Sequence, residues 1–309
     1  MNNLIVGDLH HRIEEPFFNA TNDFLDWVLE QNEYNNEETN LIFLGDIFHK
    51  SLPNPNVVFK FMDFINKSKF KEIHIIAGNH GYNKLRNSYA IAPLESIEKV
   101  NLYFKPEEIN IDGLGKCLML PYIYDDMREI YENEFNSEKY DYLFGHFADR
   151  SLFGEEINIS SIQAKNIILG HVHIGNVGKD NYLGVPVITN YAEKDYKPKL
   201  LYINEKGKEY IDLPIFLDFY TLDFETDTTD RKEISEYVIY DIINAPSIGE
   251  AKEKYKDLTI RNITVKREEI DIETNLENAK GIGDYFKAYC DINSISKSEM
   301  TIINKVMGV

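Results

Sequence analysis

Short apolar runs alternate with longer amphipathic stretches through the first two thirds of the chain, and each run stops at a small polar motif. Residues 4–6, 41–44, 73–77, 142–144 and 167–169 are nearly continuous in Leu, Ile, Val, Phe and Tyr, the pattern of strands buried on both faces. Among the first three lie 21–31, with Phe24, Leu25, Val28 and Leu29 at helical spacing, and 56–67, with Val58, Phe61, Met62 and Ile65 likewise. Strand, helix and strand in that order predict an α/β domain. Further strands are predicted at 116–120, 185–189 and 200–203, the last followed by the turn Glu205-Lys206-Gly207-Lys208. A first domain is therefore expected over 1–214.

From 215 to 275 the pattern changes: a strand at 219–224, a polar turn at 225–230, an apolar segment at 233–240 and an alternating strand at 259–267. This predicts a small α+β module. The last stretch, 276–309, places Ile282, Tyr285, Phe286 and Tyr289 on one helical face. Ser296 with Glu299 forms a capping box before a second helix carrying Met300, Ile303 and Met307 on one side. Two helices this short cannot bury such faces against each other alone, so the hairpin is expected to dock on its own chain or on a partner.

Composition narrows the setting. With 309 residues, 43% of them hydrophobic, the chain has ample core. No run approaches the roughly 20 apolar residues of a membrane span, and residues 1–3 lead into a strand rather than a signal peptide. A soluble, cytoplasmic protein is expected. Cys117 and Cys290 lack metal-finger spacing and are expected to be buried small side chains. Lys plus Arg number 33 against 52 Asp plus Glu, a net charge of -19, which argues against a freestanding nucleic-acid binder. Two bound divalent ions would reverse the local field whatever the distant surface carries.

The polar motifs supply candidates for such ions. They are Asp8-Leu9-His10, Gly45-Asp46, Gly78-Asn79-His80, Gly145-His146 and Gly170-His171-Val172-His173. Asp8 with His10, and His171 with His173, are two apart, a spacing that on extended backbone turns both side chains to one side. Asp46 has the two oxygens a bridging ligand needs, Asn79 offers a neutral oxygen, and His146 a third imidazole from the later motifs. Seven ligands result: Asp8, His10, Asp46, Asn79, His146, His171 and His173. Carboxylate, amide and imidazole without thiolate favour Mn2+, with Mg2+ or Fe2+ as substitutes. A glycine directly precedes each motif's first ligand, as expected where a Cβ would obstruct a tight strand-to-loop turn.

The ordered set resembles the calcineurin-like metallophosphoesterases. Gly45-Asp46-Ile47-Phe48-His49, the following Ser-Leu-Pro-Asn-Pro loop, and Tyr182-Leu183-Gly184-Val185-Pro186 are similar to the branch of SbcCD-type nuclease subunits, including the phage T4 recombination subunit. That resemblance implies a four-layer metallophosphoesterase sandwich with a small α+β capping domain and a C-terminal helical hairpin. It implies Asp8, His10, Asp46 and His173 on one ion and Asp46, Asn79, His146 and His171 on the other. His80 is then catalytic, stabilising or protonating the leaving oxygen, and His49 orients the DNA end. The activity implied is Mn-dependent DNA cleavage, exonucleolytic at duplex ends and endonucleolytic on single strands, in recombination and repair. The implied partners are DNA, a second copy of the chain, and an SbcC-like ATPase bound by the hairpin.

Two positions depart from the branch. Gly81 stands where an acid usually follows Gly-Asn-His, and His11-Arg12 replaces small residues after the first motif. Arg12 is expected to be solvated, with a phosphate contact as the other reading. Two other functions fit parts of the chain: a metallophosphatase or small-molecule phosphodiesterase, favoured by the acidic composition, and a non-catalytic scaffold.

Overall fold

The computed structural model describes residues 1–122, 135, 138–149, 161–175, 181–226 and 235–266. The hairpin expected at 276–309 and Cys290 lie outside these. In chain order the elements are β1 (Asn2–Val6), α1 (Phe17–Glu30), β2 (Thr39–Phe43), α2 (Pro55–Lys67) and β3 (Ile73–Ile76). A tight hairpin of β4 (Tyr82–Asn83) and β5 (Ser88–Tyr89) follows, then β6 (Val100–Tyr103), β7 (Glu107–Ile111), β8 (Gly115–Leu120), β9 (Lys139–His146) and β10 (Gln163–Gly170). The chain continues through β11 (Lys199–Asn204), β12 (Gly207–Asp212), β13 (Leu217–Asp223), β14 (Tyr237–Ala245), α3 (Ile248–Lys254) and β15 (Thr259–Val265).

Six strands form one sheet in the order β12-β11-β1-β2-β3-β6, and four form a second in the order β10-β9-β8-β7. Alternate residues divide the first sheet's side chains between two cores. Leu4, Leu41, Phe43, Ile73 and Ile75 pack with Phe24, Val28, Phe61 and Ile65 of α1 and α2. Ile5, Ile42, Leu44 and Ile76 pack against Cys117, Met119, Phe144 and Ile168 of the second sheet. Burial on both faces is why these strands read as unbroken apolar runs. Cys117 is a buried free thiol, and burial pushes it up to about 12.

The expected four-layer sandwich is corrected by this topology. β1 pairs in parallel with β2, β2 with β3, β3 with β6, β8 with β9, β9 with β10, β13 with β14 and β14 with β15. The long-range pairing is thus a β-solenoid-like winding, in which parallel neighbours recur through three sheets while β11 and β12 close the first sheet antiparallel to β1. Among the described residues only α1 and α2 form a helical layer of the main body. The physical reason is that parallel neighbours require crossover connections, and short connections return the chain to the adjacent position.

Individual elements also differ from expectation. α1 starts four residues before the periodic run, because Phe18 and Ala20 already donate to the Glu14 and Pro16 carbonyls. α2 begins at Pro55, where Asn54 caps it by accepting from the Asn56 N–H. The apolar run 185–189 is not a strand. Val185, Val187 and Ile188 are buried, but the Val185 N–H donates to the His173 carbonyl rather than to a sheet. α3 was not expected, although Ser247 and Glu250 form the capping box that starts it.

The three-stranded sheet β13-β14-β15 leans on the main body. Leu217, Phe219 and Ile239 belong to the same core as α1, and the Phe216 ring meets Phe24 edge-on at 5.7 Å. Its other face has a small core of Leu222, Tyr240, Ile242, Ala251 and Tyr255 with α3. Among the described residues no helix is long and apolar enough to cross a membrane.

Candidate metal centre

The C-terminal ends of β1, β2, β3, β9 and β10 bring the expected motifs to one rim, where the two sheets face each other. Asp8, His10, Asp46 and His146 are buried there, Asn79, His171 and His173 are half-buried, and His80 is exposed. The extended-backbone expectation is corrected: β1 ends at Val6 and β10 at Gly170, and His10 and His171 have φ of 47° and 80°. Asp46 has φ of 39°. Three side chains of the expected ligand set therefore sit on left-handed backbone, a conformation costing on the order of 1 kcal/mol or more each and concentrated at functional sites. His171 and His173 consequently reach opposite parts of the rim.

Two glycines show how tightly these loops approach. Gly45 has φ of 121°, and a Cβ there would lie 2.1 Å from His146 Nδ1. A Cβ on Gly78 would lie 2.1 Å from Asp46 Oδ1. Gly81, by contrast, has nothing within 4 Å of its Cβ position, so an acid in its place would have room.

Asp46 occupies the middle. The His80 N–H donates to its Oδ1 at 2.9 Å, leaving Oδ2 between His146 Nε2 at 3.3 Å and His10 Nε2 at 3.7 Å. On one side His10 Nε2 and His173 Nε2 are 2.9 Å apart, and Asp8, His10 and His173 present ligand atoms all within 4.8 Å of one another. On the other side Asn79 Oδ1 lies 3.0 Å from His146 Nε2 and 3.2 Å from His171 Nδ1. On the open side His10, His49 and His80 present a second group of ligand atoms, again all within 4.8 Å of one another. His49 Nδ1 is 3.3 Å from His10 Nδ1, and the His49 carbonyl is 3.0 Å from His80 Nδ1.

This donor set fits divalent cations. His146 Nδ1 is 2.8 Å from the Leu44 carbonyl, so its proton goes there, and Asp8 Oδ1, only 3.3 Å away, is buried without a hydrogen bond. Asp8 Oδ2 accepts from the His171 N–H at 2.7 Å, which aims Oδ1 into the centre. Paired nitrogens and carboxylate oxygens at such distances require a proton or a cation between them, and two divalent ions satisfy all of them at once. The absence of thiolate suits hard or borderline metals.

Electrostatics follow from burial and from the two carboxylates. Burial pushes His10 down to about 3 and His171 down to about 4, so both rings are neutral and keep a lone pair at neutral pH. Burial also opposes charge on His146, but Asp46 and Asp8 outweigh it and hold that imidazole well above its ordinary value. For Asp46, burial raises and His146 more than compensates, leaving the carboxyl well below its usual range. A cation entering the centre must therefore displace the proton on His146 Nε2, while Nδ1 keeps its own for the Leu44 carbonyl.

One partner of the centre had no signal in the sequence, and one neighbour differs from expectation. Glu193, 2% exposed, lies with Oε1 2.7 Å from His173 Nδ1. It stands apart from every motif, on a loop whose path only the fold reveals. Arg12 is not solvated: its guanidinium stacks 3.3 Å over the Phe17 ring and donates to the Thr189 carbonyl at 2.9 Å. His11 is buried against Phe18, with ring centroids 5.5 Å apart.

No curated protein matches the chain. The family model for calcineurin-like phosphoesterase matches residues 1–203, the span that carries every residue of the centre. With that match over well more than half of its length, and with Asp46 set between two groups of imidazole, amide and carboxylate donors, the chain belongs to the calcineurin-like phosphoesterase family.

Proposed function

We propose that this chain is a DNA phosphodiesterase of the SbcCD nuclease-subunit type, a finer reading of the metal-dependent phosphoester hydrolysis its family performs. The observation that carries it is Asp46 Oδ2 lying between His146 and His10, with the His49–His80 pair on the open side of that bridge. Asp8, His10, Asp46 and His173 would hold one ion, and Asp46, Asn79, His146 and His171 the other. Two such ions, Mn2+ first, supply neutralisation of phosphate charge and activation of water.

The chain's own groups do the rest. His80 donates its Nδ1–H to the His49 carbonyl in a hydrogen bond, which turns Nε2 outward to serve the leaving oxygen. The His49 ring lies 5.3 Å from that of His80 and orients the strand being cut. His80 would stay outside both ligand sets, a reading supported by its backbone N–H donating to Asp46 Oδ1. Residues 276–309 would bind an SbcC-like ATPase, a reading supported by their apolar helical faces in the sequence.

A second reading has its own support. The family match ends at residue 203, and a net charge of -19 suits a metallophosphatase or small-molecule phosphodiesterase as well as a nuclease. End-labelled duplex and single-stranded DNA, a phosphomonoester and a cyclic nucleotide, each incubated with purified protein and Mn2+, separate the two. DNA cleavage that disappears in His80→Ala is expected. Turnover of the small substrates with intact DNA, also after addition of the ATPase, would replace the nuclease reading with the second one.

A further inference from the structure

We infer that Glu193 is a positioning residue for His173, and that the three-stranded sheet holds it in place through the single turn at Tyr191–Glu193. The inference rests on the metal-centre reading and not on DNA as substrate. Glu193 is almost fully buried, and the donors that surround its carboxylate are the Thr189 N–H at 2.5 Å, the Thr189 hydroxyl at 3.0 Å, the Asn190 amide and His173 Nδ1. A carboxylate only accepts, so His173 must carry its proton on Nδ1 and turn its Nε2 lone pair toward Asp8 and His10. Without Glu193, Nδ1 is left to the Thr189 hydroxyl at 3.2 Å, which can donate as well as accept, so the tautomer is no longer fixed.

The turn gives this carboxylate a mechanical link. Asn190 Oδ1 accepts from the Ala192 N–H at 2.9 Å and starts a one-turn 3-10 helix, Tyr191–Glu193. Glu193 points into the centre while Tyr191 points to the small sheet. Two strands of that sheet meet Tyr191 directly, and the third braces one of those contacts. On β13, Phe219 lies edge-on with centroids 6.0 Å apart, and Thr221 Oγ1 is 2.8 Å from the Tyr191 hydroxyl. On β15, the Arg261 guanidinium sits 4.4 Å over the Tyr191 ring, and Asp241 of β14 fixes Arg261 through a 2.9 Å bond to Nε and a second bond to Nη2. The preceding residue, Thr189, also accepts from Arg12 through its carbonyl, so the loops of His10 and His173 share one anchor.

The test uses the full chain and Mn2+ alone. Binding of the two ions is titrated by electron paramagnetic resonance, and the His173 tautomer is read by nitrogen-15 NMR of the metal-free protein. Glu193→Ala is expected to weaken one ion by about 10- to 100-fold and spare the other, with loss of the Nδ1–H signature. Glu193→Gln, whose amide oxygen still accepts, is expected to restore the tautomer and most of the affinity, which a merely structural role would not do. Arg261→Ala and Tyr191→Ala are expected to weaken the same ion by about 2- to 30-fold. Unchanged Mn2+ affinity and tautomer in Glu193→Ala, or no rescue by Gln, would overturn the role of Glu193. Normal binding in both Arg261→Ala and Tyr191→Ala would overturn the link to the sheet. A protein that behaves as expected here but leaves DNA intact would refute only the substrate reading.

Discussion

The two ends of the same parallel strands handle buried polar groups in opposite ways. At the N-terminal end, donors meet acceptors: Asn40 Nδ2 donates to Asn3 Oδ1, Asn3 Nδ2 to the Asp112 carbonyl, and His74 Nδ1 lies 2.8 Å from the Tyr103 hydroxyl. Only Asn40 Oδ1 and His74 Nε2 in that set lack a hydrogen bond, the latter 3.3 Å from a Glu72 oxygen. At the C-terminal end, ligand atoms crowd one another, with His10 Nε2 on His173 Nε2 and Asn79 Oδ1 between His146 Nε2 and His171 Nδ1. Polar groups that satisfy one another hold a fold together. Groups that converge without satisfying one another are arranged for something else, here a pair of cations.

That contrast can be broken most severely at Asp46. Asp46→Ala removes the shared oxygen of both ligand groups, and we expect both ions to be lost and phosphoester hydrolysis to fall by at least about 1,000-fold, beyond the cost of one electrostatic stabiliser. Mn2+ titration beside an activity assay checks it, and retention of two tight ions would remove the bridging role. Next in size is His80→Ala, expected to keep both ions while slowing hydrolysis by roughly 10²- to 10⁴-fold, the range for a lost general acid. Stoichiometric loss of an ion with that substitution would make His80 a ligand instead.

The opposite end should respond in stability alone. Burial pushes His74 down to about 4 from an ordinary 6.5, so the folded state resists a proton that the unfolded state accepts. Stability from this group is complete above pH 6.5 and is lost as pH falls from 6.5 to 4, by on the order of 3 kcal/mol. His74→Gln is expected to flatten that part of the urea-unfolding profile relative to the parent, and an unchanged slope would show that His74 is not the group responsible. Smallest is Asn40→Ala, which strands Asn3 Oδ1 and is expected to cost about 1–3 kcal/mol. Its Mn2+ affinity should match the parent, and a weakened centre would mean that the two ends are coupled.

Much of the centre was legible in the chain because its donors follow buried strands directly. A strand buried on both faces must end in a turn at the sheet rim, so the apolar runs before Asp8, Asp46, Asn79, His146 and His171 foretold both the strands and the position of the polar residues. The helical faces of 21–31 and 56–67 were legible for the same reason, since their apolar stripes had to cover that sheet. The run 185–189 misled because burial without a sheet partner has the same sequence signature as a strand.

By itself, then, the sequence determined which residue types arrive at the rim and in what order, because period and punctuation are local properties of the chain. Tertiary structure alone decided that His171 and His173 part company, that Arg12 stacks on Phe17, and that Glu193 holds His173 from 20 residues away. It also decided how the parallel windings divide among three sheets. These outcomes depend on left-handed backbone at His10, Asp46 and His171 and on contacts between distant loops, and no local pattern encodes a contact whose partner is chosen only when the chain has folded.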